Sequence, residues 1–253
     1  MLRKLNFTER IRIKPNAVHL ALRREGGVLA FDAMISLDAL AVPPDAKVYL
    51  DAYYRASSMR FDYGSVGHLR PPEDRRLTAI DSGNVVRFVL KIVGSRTDHG
   101  RILAASRVVT VSERDGPGRR VSLLPVNFRD LGEEVWALDF DGASGPVLEL
   151  NSRIDGIQRM ATADPKFFAL VYPAAIRQIL GEILFVERID PSEDGDEWST
   201  LWIRWGARLA GPPPADADDD FMKREWVDEV ARAFCAERSV VERLIGALRR
   251  EDE

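Results

Sequence analysis

Asp139, Asp141 and Glu149 are the side chains in this 253-residue sequence whose type and spacing come nearest to a catalytic set. Two aspartates two positions apart on a strand project from the same face. With a glutamate from a neighbouring strand they could ligate Mg²⁺, a hard cation that takes carboxylate oxygens. The chemistry would be metal-assisted hydrolysis, in a divergent hydrolase or nuclease. Nucleases that set an aspartate and a Glu-x-Lys around the metal also use the lysine to activate or orient water. Here the second residue after Glu149 is Asn151.

The segment TrpAlaLeuAspPheAspGlyAlaSer, 136–144, resembles the first motif of haloacid-dehalogenase-type phosphotransferases. The resemblance implies Asp139 as nucleophile and Asp141 as acid/base, both beside Mg²⁺. It is confined to this segment. In that family the motif opens a βα unit, whereas here GlyProValLeuGluLeu follows and reads as another strand. Asp141-Gly142 is equally a hairpin turn pair.

Other catalytic and cofactor patterns are incomplete. His19, His68 and His99 are scattered without ligand spacing and read as surface or capping residues. TyrGlySerValGly, 63–67, lacks both the Gly-Lys-Ser/Thr end of a phosphate-binding loop and the spacing of a nucleophile elbow. Cys235 is the single cysteine, so an intramolecular disulfide and a cysteine-based zinc site within the chain are both excluded. No metal and no cofactor are expected.

Charge divides the chain. Residues 1–125 carry 21 Lys+Arg against 13 Asp+Glu, and residues 126–253 carry 15 against 27, within an overall charge of −4. A basic half can face a phosphate backbone. The candidates for contact with DNA or RNA are Arg3, Lys4, Arg10, Arg12 and Lys14 in the N-terminal arm, and the loop pairs Arg75/Arg76 and Arg119/Arg120. Tyr53, Tyr54, Phe61 and Tyr63 on nearby strands could stack on bases, though alternation turns about half of such residues inward.

The elements that would position these residues are extended in the first part of the chain. GluArgIleArgIleLys, 9–14, alternates as a half-buried strand does. Val18–Arg24 and Val28–Leu37 flank Gly26-Gly27, a hairpin signal. Further strands are expected at Val48–Arg55, Met59–Tyr63, Leu77–Ile80, Val85–Val93, Ile102–Val111, Val121–Val126, Val135–Phe140 and Val147–Leu150. Many short strands parted by Gly, Pro and Asp, with no helices between them, predict an antiparallel sandwich or barrel over 1–155.

Helical spacing takes over after Ile154. Asp164-Pro165 is an N-cap followed by proline at the first helical position, and Pro173 either kinks or divides the run that follows. Trp198, Trp202 and Trp205 mark one face of a short helix, so 156–210 is expected to pack as a helical region. A Pro/Asp linker, 211–219, then leads to a helical hairpin over 220–253. Val227 and Phe234 lie on the apolar face of its first helix, and Leu244 and Leu248 on that of its second. Ser239-Val240-Val241-Glu242 fits a capping box at the break. The fold class expected is therefore α+β.

No apolar run approaches the roughly 20 residues of a membrane-spanning helix, and the first residues lack a signal-peptide core, so a cytoplasmic protein is expected. The function expected first is that of a non-catalytic interaction or scaffold subunit, of the kind found in bacterial multi-gene systems, antiviral ones among them. Its partners would be other protein subunits, reached through Trp198, Trp202, Trp205, Val227, Phe234, Leu244 and Leu248, or a second copy of the chain. A nucleic-acid-binding module is the second expectation, and the Mg²⁺ hydrolase the third.

Overall fold

Side-chain alternation decides the β-rich part of the chain. The computed structural model describes residues 10–37, 40–95, 100–113, 122–141, 144–186, 198–214 and 220–251. Its fold is α+β, with strands first and helices after. The described residues within Met1–Arg129 and Asp141–Ser144 form one compact unit, and Asp130–Phe140 with the described residues of Gly145–Glu253 form a second.

In the first unit the strands are β1 (Ile11–Ile13), β2 (Val18–Glu25), β3 (Val28–Ile35), β4 (Lys47–Tyr54), β5 (Ser57–Ser65), β6 (His68–Leu69), β7 (Val85–Val93), β8 (Ile102–Ser106), β9 (Val109–Ser112) and β10 (Val126–Arg129). The main sheet runs in the order β1-β8-β7-β4-β5-β6, with β9 also on β7. Its pairs are antiparallel except that β1 lies parallel to β8, so the sheet is mixed rather than antiparallel throughout. Val48, Leu50, Ala52 and Tyr54 of β4 share one face with Phe88, Leu90 and Ile92 of β7, and all are buried. Residues 49, 51 and 53 and residues 87, 89 and 91 form the opposite face.

The apolar face is covered by a separate ribbon, the hairpin of β2 and β3. Gly26 (φ 58°) and Gly27 (φ 84°) both adopt the positive φ that a tight two-residue turn needs. Phe31 of β3 meets Phe61 edge-on at 4.7 Å and Phe88 at 5.2 Å, which anchors the ribbon on the sheet.

Three expected strands differ. Ile102–Val111 is broken into β8 and β9. Ser106 Oγ accepts the Leu90 N–H at 2.9 Å and donates to the Arg107 carbonyl at 2.7 Å, so a side chain takes over one rung of the ladder. Leu77–Ile80 forms no strand. The contact there is a single bridge between Ala30 and Arg76, with the Leu77 N–H on the Leu29 carbonyl at 2.7 Å. Instead of Val121–Val126, β10 begins at Val126. Asn127 explains this: its buried Oδ1 accepts from the N–H groups of Gly83 and Asn84 at 3.1 Å each, so the segment is clamped to the turn before β7.

In the second unit β11 (Trp136–Asp141) pairs with β12 (Gly145–Asn151), and the last residue of β11 belongs to the first unit. The helices are α1 (Ile157–Ala163), α2 (Pro165–Gly181), α3 (Trp198–Ala210), α4 (Asp220–Glu237) and α5 (Val240–Glu251). Asp164 caps α2 by accepting the Lys166 N–H at 2.7 Å, with Pro165 behind it. Pro173 is buried inside α2, which continues without a break and ends in a π-helical turn, Glu182–Val186.

The span Pro165–Val186 has a mean hydropathy of 1.5 over an 18-residue window and is long and apolar enough to cross a membrane, which corrects the expectation that no run comes near that length. Phe167, Val171, Ile176, Ile179 and Leu180 of this span are buried, with α4 and α5 packed against α2, as in a core helix.

Gly206 lets α3 approach α4. A Cβ there would stand 2.8 Å from the Trp226 ring and 3.3 Å from Val230. Gly246 of α5 is the counterexample, with nothing within 4 Å of where its Cβ would be. Gly206→Ala should therefore destabilise the protein by about 1–3 kcal/mol through overpacking. Gly246→Ala should stabilise it by up to about 1 kcal/mol through helix propensity. Urea unfolding of the two variants checks the opposite signs.

Candidate functional site

On the polar face of the sheet, antiparallel register sets three cross-strand rows. Asp62, Tyr49 and Lys91 lie side by side, then Arg60, Asp51 and Val89, then Ser58, Tyr53 and Arg87. Charge concentrates in the middle. The Arg60 guanidinium donates to both Asp51 oxygens at 2.7 and 3.0 Å, and Lys91 Nζ donates to Oδ2 at 2.8 Å. Arg60 also lies over the Tyr49 ring at 5.1 Å. Burial pushes the Asp51 carboxyl up, but the hydrogen bonds and charges of Arg60 and Lys91 together outweigh it and hold the carboxyl below its ordinary value.

These residues line an open cleft of about 530 Å³ whose walls include Asp51, Tyr53, Arg55, Met59, Arg60 and Lys91. Arg55, at the β4–β5 turn, has φ 51°, a left-handed conformation that costs a non-glycine residue about 1 kcal/mol. The cleft is cationic on balance. An incoming carboxylate or phosphate would still have to compete with Asp51 for both Arg60 and Lys91.

Below this cluster sits Arg87, 1% exposed in the middle of β7. A guanidinium stays charged, so its burial requires partners. Its Nε lies 3.6 Å from Asp141 Oδ2, and its guanidinium stands 5.2 Å from the centre of the Tyr54 ring. Burial, with the Asp141 charge and hydrogen bond next, pushes the Tyr53 phenol well above its usual range, and Arg87 pulls it partly back. Asp141 is thus engaged by a buried cation and a phenol.

Asp139 is half-buried on β11 and Glu149 is buried on β12. Among the described residues no group of three or more His, Cys, Asp or Glu side chains is arranged to hold a metal ion.

The expected nucleic-acid contacts divide by what the structure describes of them. Arg3, Lys4, Arg119 and Arg120 lie outside the described residues, as does His99. Arg10, Arg12 and Lys14 are exposed at and around β1. Arg75 is tied to Asp32 at 3.1 Å, and Arg76 grips Asp74 with Nε at 2.9 Å and Nη2 at 2.8 Å. Tyr54, Phe61 and Tyr63 are buried on the core face, where burial pushes the Tyr63 phenol up to about 12. His19 and His68 are exposed.

The expected protein-contact residues fall into two groups. Trp202, Val227 and Phe234 are buried inside the helical unit. Trp205 meets Trp202 at 5.3 Å and Phe234 at 6.0 Å, and Trp198 packs so closely on Gly145 that a Cβ there would stand 2.7 Å from its ring. This apolar surface is committed within the unit.

The second helix of the hairpin differs. Val240 is buried and Arg243 lies over the Phe168 ring at 5.4 Å, so one side of α5 docks on α2. Leu244 is half-buried at the margin. Val241, Ile245 and Leu248 are 61%, 43% and 44% exposed. At spacings of four and three they form one outward stripe. Val241 and Ile245 share the helical spacing of Leu248, but only their exposure marks them as surface.

No protein-family model matches the chain, and no curated protein and no solved structure matches it either.

Two outcomes follow from the sheet face. Folded Asp51 titrates below its unfolded value of 3.8, so its stabilisation is complete above that pH and is lost as pH falls through the lower folded value. Urea unfolding should separate wild type from Asp51→Asn by about 1 kcal/mol near neutrality, and the two should converge in acid. A gap that stays constant with pH would mean the carboxylate charge is not involved. Asp141→Asn should destabilise the protein by about 1–3 kcal/mol, because it removes a negative charge beside the buried Arg87 guanidinium. Thermal melts read this directly.

Proposed function

We propose that this chain is a non-catalytic interaction subunit of a larger assembly, with α5 as its docking element. The observation that carries this reading is the outward apolar stripe of Val241, Ile245 and Leu248. Scattered exposed apolar residues are ordinary, but three on one helical face form a coherent surface. Each of the other helices turns several apolar residues inward, while on α5 the docked side and the apolar stripe are different sides. Amphipathic helices of this kind are recognised by partners through anchors at such spacings.

The nucleic-acid reading draws less support. Arg75 and Arg76 would have to give up Asp32 and Asp74 to meet a phosphate.

The test is the size of the protein at its native level in its own host. Wild type should migrate in a species larger than the 28.4 kDa chain. Ile245→Asp and Leu248→Asp should return it to the size of the free chain, with circular dichroism and melting temperature unchanged, since exposed substitutions away from special features change stability little. A wild-type chain that already migrates at its own mass would end the docking interpretation of α5.

A further inference from the structure

The charges beside the α5 stripe limit what can cover it. Glu242 and Arg249 are both exposed, and neither has an ion-pair partner among the described residues. They are seven residues apart, so they stand on the same flank of the helix, two turns from each other. Val241 and Leu248 are also seven apart, and Ile245 lies between them. The acid is near the start of the helix and the base near its end.

From this we infer that the occupant of the stripe is α5 of a second copy of this chain, packed antiparallel about a two-fold axis beside Ile245. This inference rests on the reading of α5 as a docking element and names its partner. In an antiparallel pair related by a perpendicular two-fold, equivalent flanks meet. Val241 of one helix then faces Leu248 of the other, and the two Ile245 side chains meet at the axis. Glu242 of each helix faces Arg249 of the other, so both charges are answered twice by symmetry. A parallel pairing would set this flank against the opposite flank of the partner, on which Leu244 and Ala247 lie, and would leave both charges unanswered. The four-and-three spacing of the stripe is the one that keeps a seam facing a partner helix.

The stripe from Val241 to Leu248 is little more than one heptad, too short to reach the roughly 1,200 Å² of a standard stable interface. The dimer is therefore a concentration-dependent equilibrium, with monomer dominating in dilute solution.

Sedimentation equilibrium of the purified full chain, from about 1 µM to about 500 µM, tests this. The weight-average mass of wild type should rise from that of one chain towards two. Ile245→Asp, which sets two carboxylates against each other at the axis, should hold it at one. Glu242→Arg and Arg249→Glu should each weaken the dimer about tenfold, and the double reversal should restore it. These two positions are on the surface, so the charge series stays interpretable even if the Ile245 variant loses helix. Three results would each overturn the pairing: wild type monomeric across the range, a dimer indifferent to Ile245→Asp, or a double reversal no tighter than the single ones. Failure here is distinguishable from failure of the docking reading. A chain that is monomeric when purified but large in its host keeps α5 as a docking element with another partner, and a chain of single mass in both settings loses both.

Discussion

The first unit is organised around the burial of Arg87. It is the largest fully buried side chain among the described residues, and it lies on an interior strand where its neighbours in sequence are Val85, Val86, Phe88 and Val89. Removing a guanidinium from water costs several kcal/mol unless partners compensate. The chain meets that cost with groups distant in sequence: the Tyr54 ring from β4, and Asp141 from the end of β11. Asp141 and Ser144 belong to the first unit, whereas Phe140 before them and Gly145 after them belong to the second. Thr110, the partner of Arg87 on β9, donates to the Ser144 carbonyl at 3.4 Å, adding a second tie at the same place.

Asp141, the second aspartate of the Asp-x-Asp-Gly segment, thus has a structural partner in Arg87. A strand that ends in two alternating aspartates before a glycine can present a nucleophile and an acid, and can equally turn back on itself with an aspartate reserved for a buried cation. The two alternatives share a local sequence. What separates them is the residue across the sheet, and sequence distance hides it: Arg87 and Asp141 are brought together only by the fold.

Much of the fold was legible because it depends on period. Alternation located β2, β3, β4, β5 and β7, the Gly-Gly turn located the ribbon, and 3.6-residue spacing with an aspartate–proline start located α2. The errors came where a side chain replaced a backbone partner, as Ser106 does between β8 and β9 and Asn127 does before β7. The Asp51–Arg60–Lys91 cluster needed register, which no single strand carries. A lone arginine in ValValArgPheValLeuLysIleVal was the available sign that something charged had to lie beneath the surface. On the helices, spacing found the apolar faces but could not rank them by exposure. Trp202 and Ile245 obey the same periodic rule, yet one is core and the other faces water.

Exposure also separates the kinds of partner the chain can take. A phosphate backbone is held by cations with donors to spare, and a basic composition is only a precondition. Here Arg60, Arg75, Arg76 and Lys91 each face a carboxylate of the same unit. Engaging them with an external anion would exchange one ion pair for another, with little net gain. The apolar stripe on α5 has no such internal competitor. Its three side chains are about half exposed, so covering each fully would contribute roughly half of the 1.5–3 kcal/mol of a complete burial. Part of the formal basicity of the first half of the chain is thus already paired with carboxylates of its own unit.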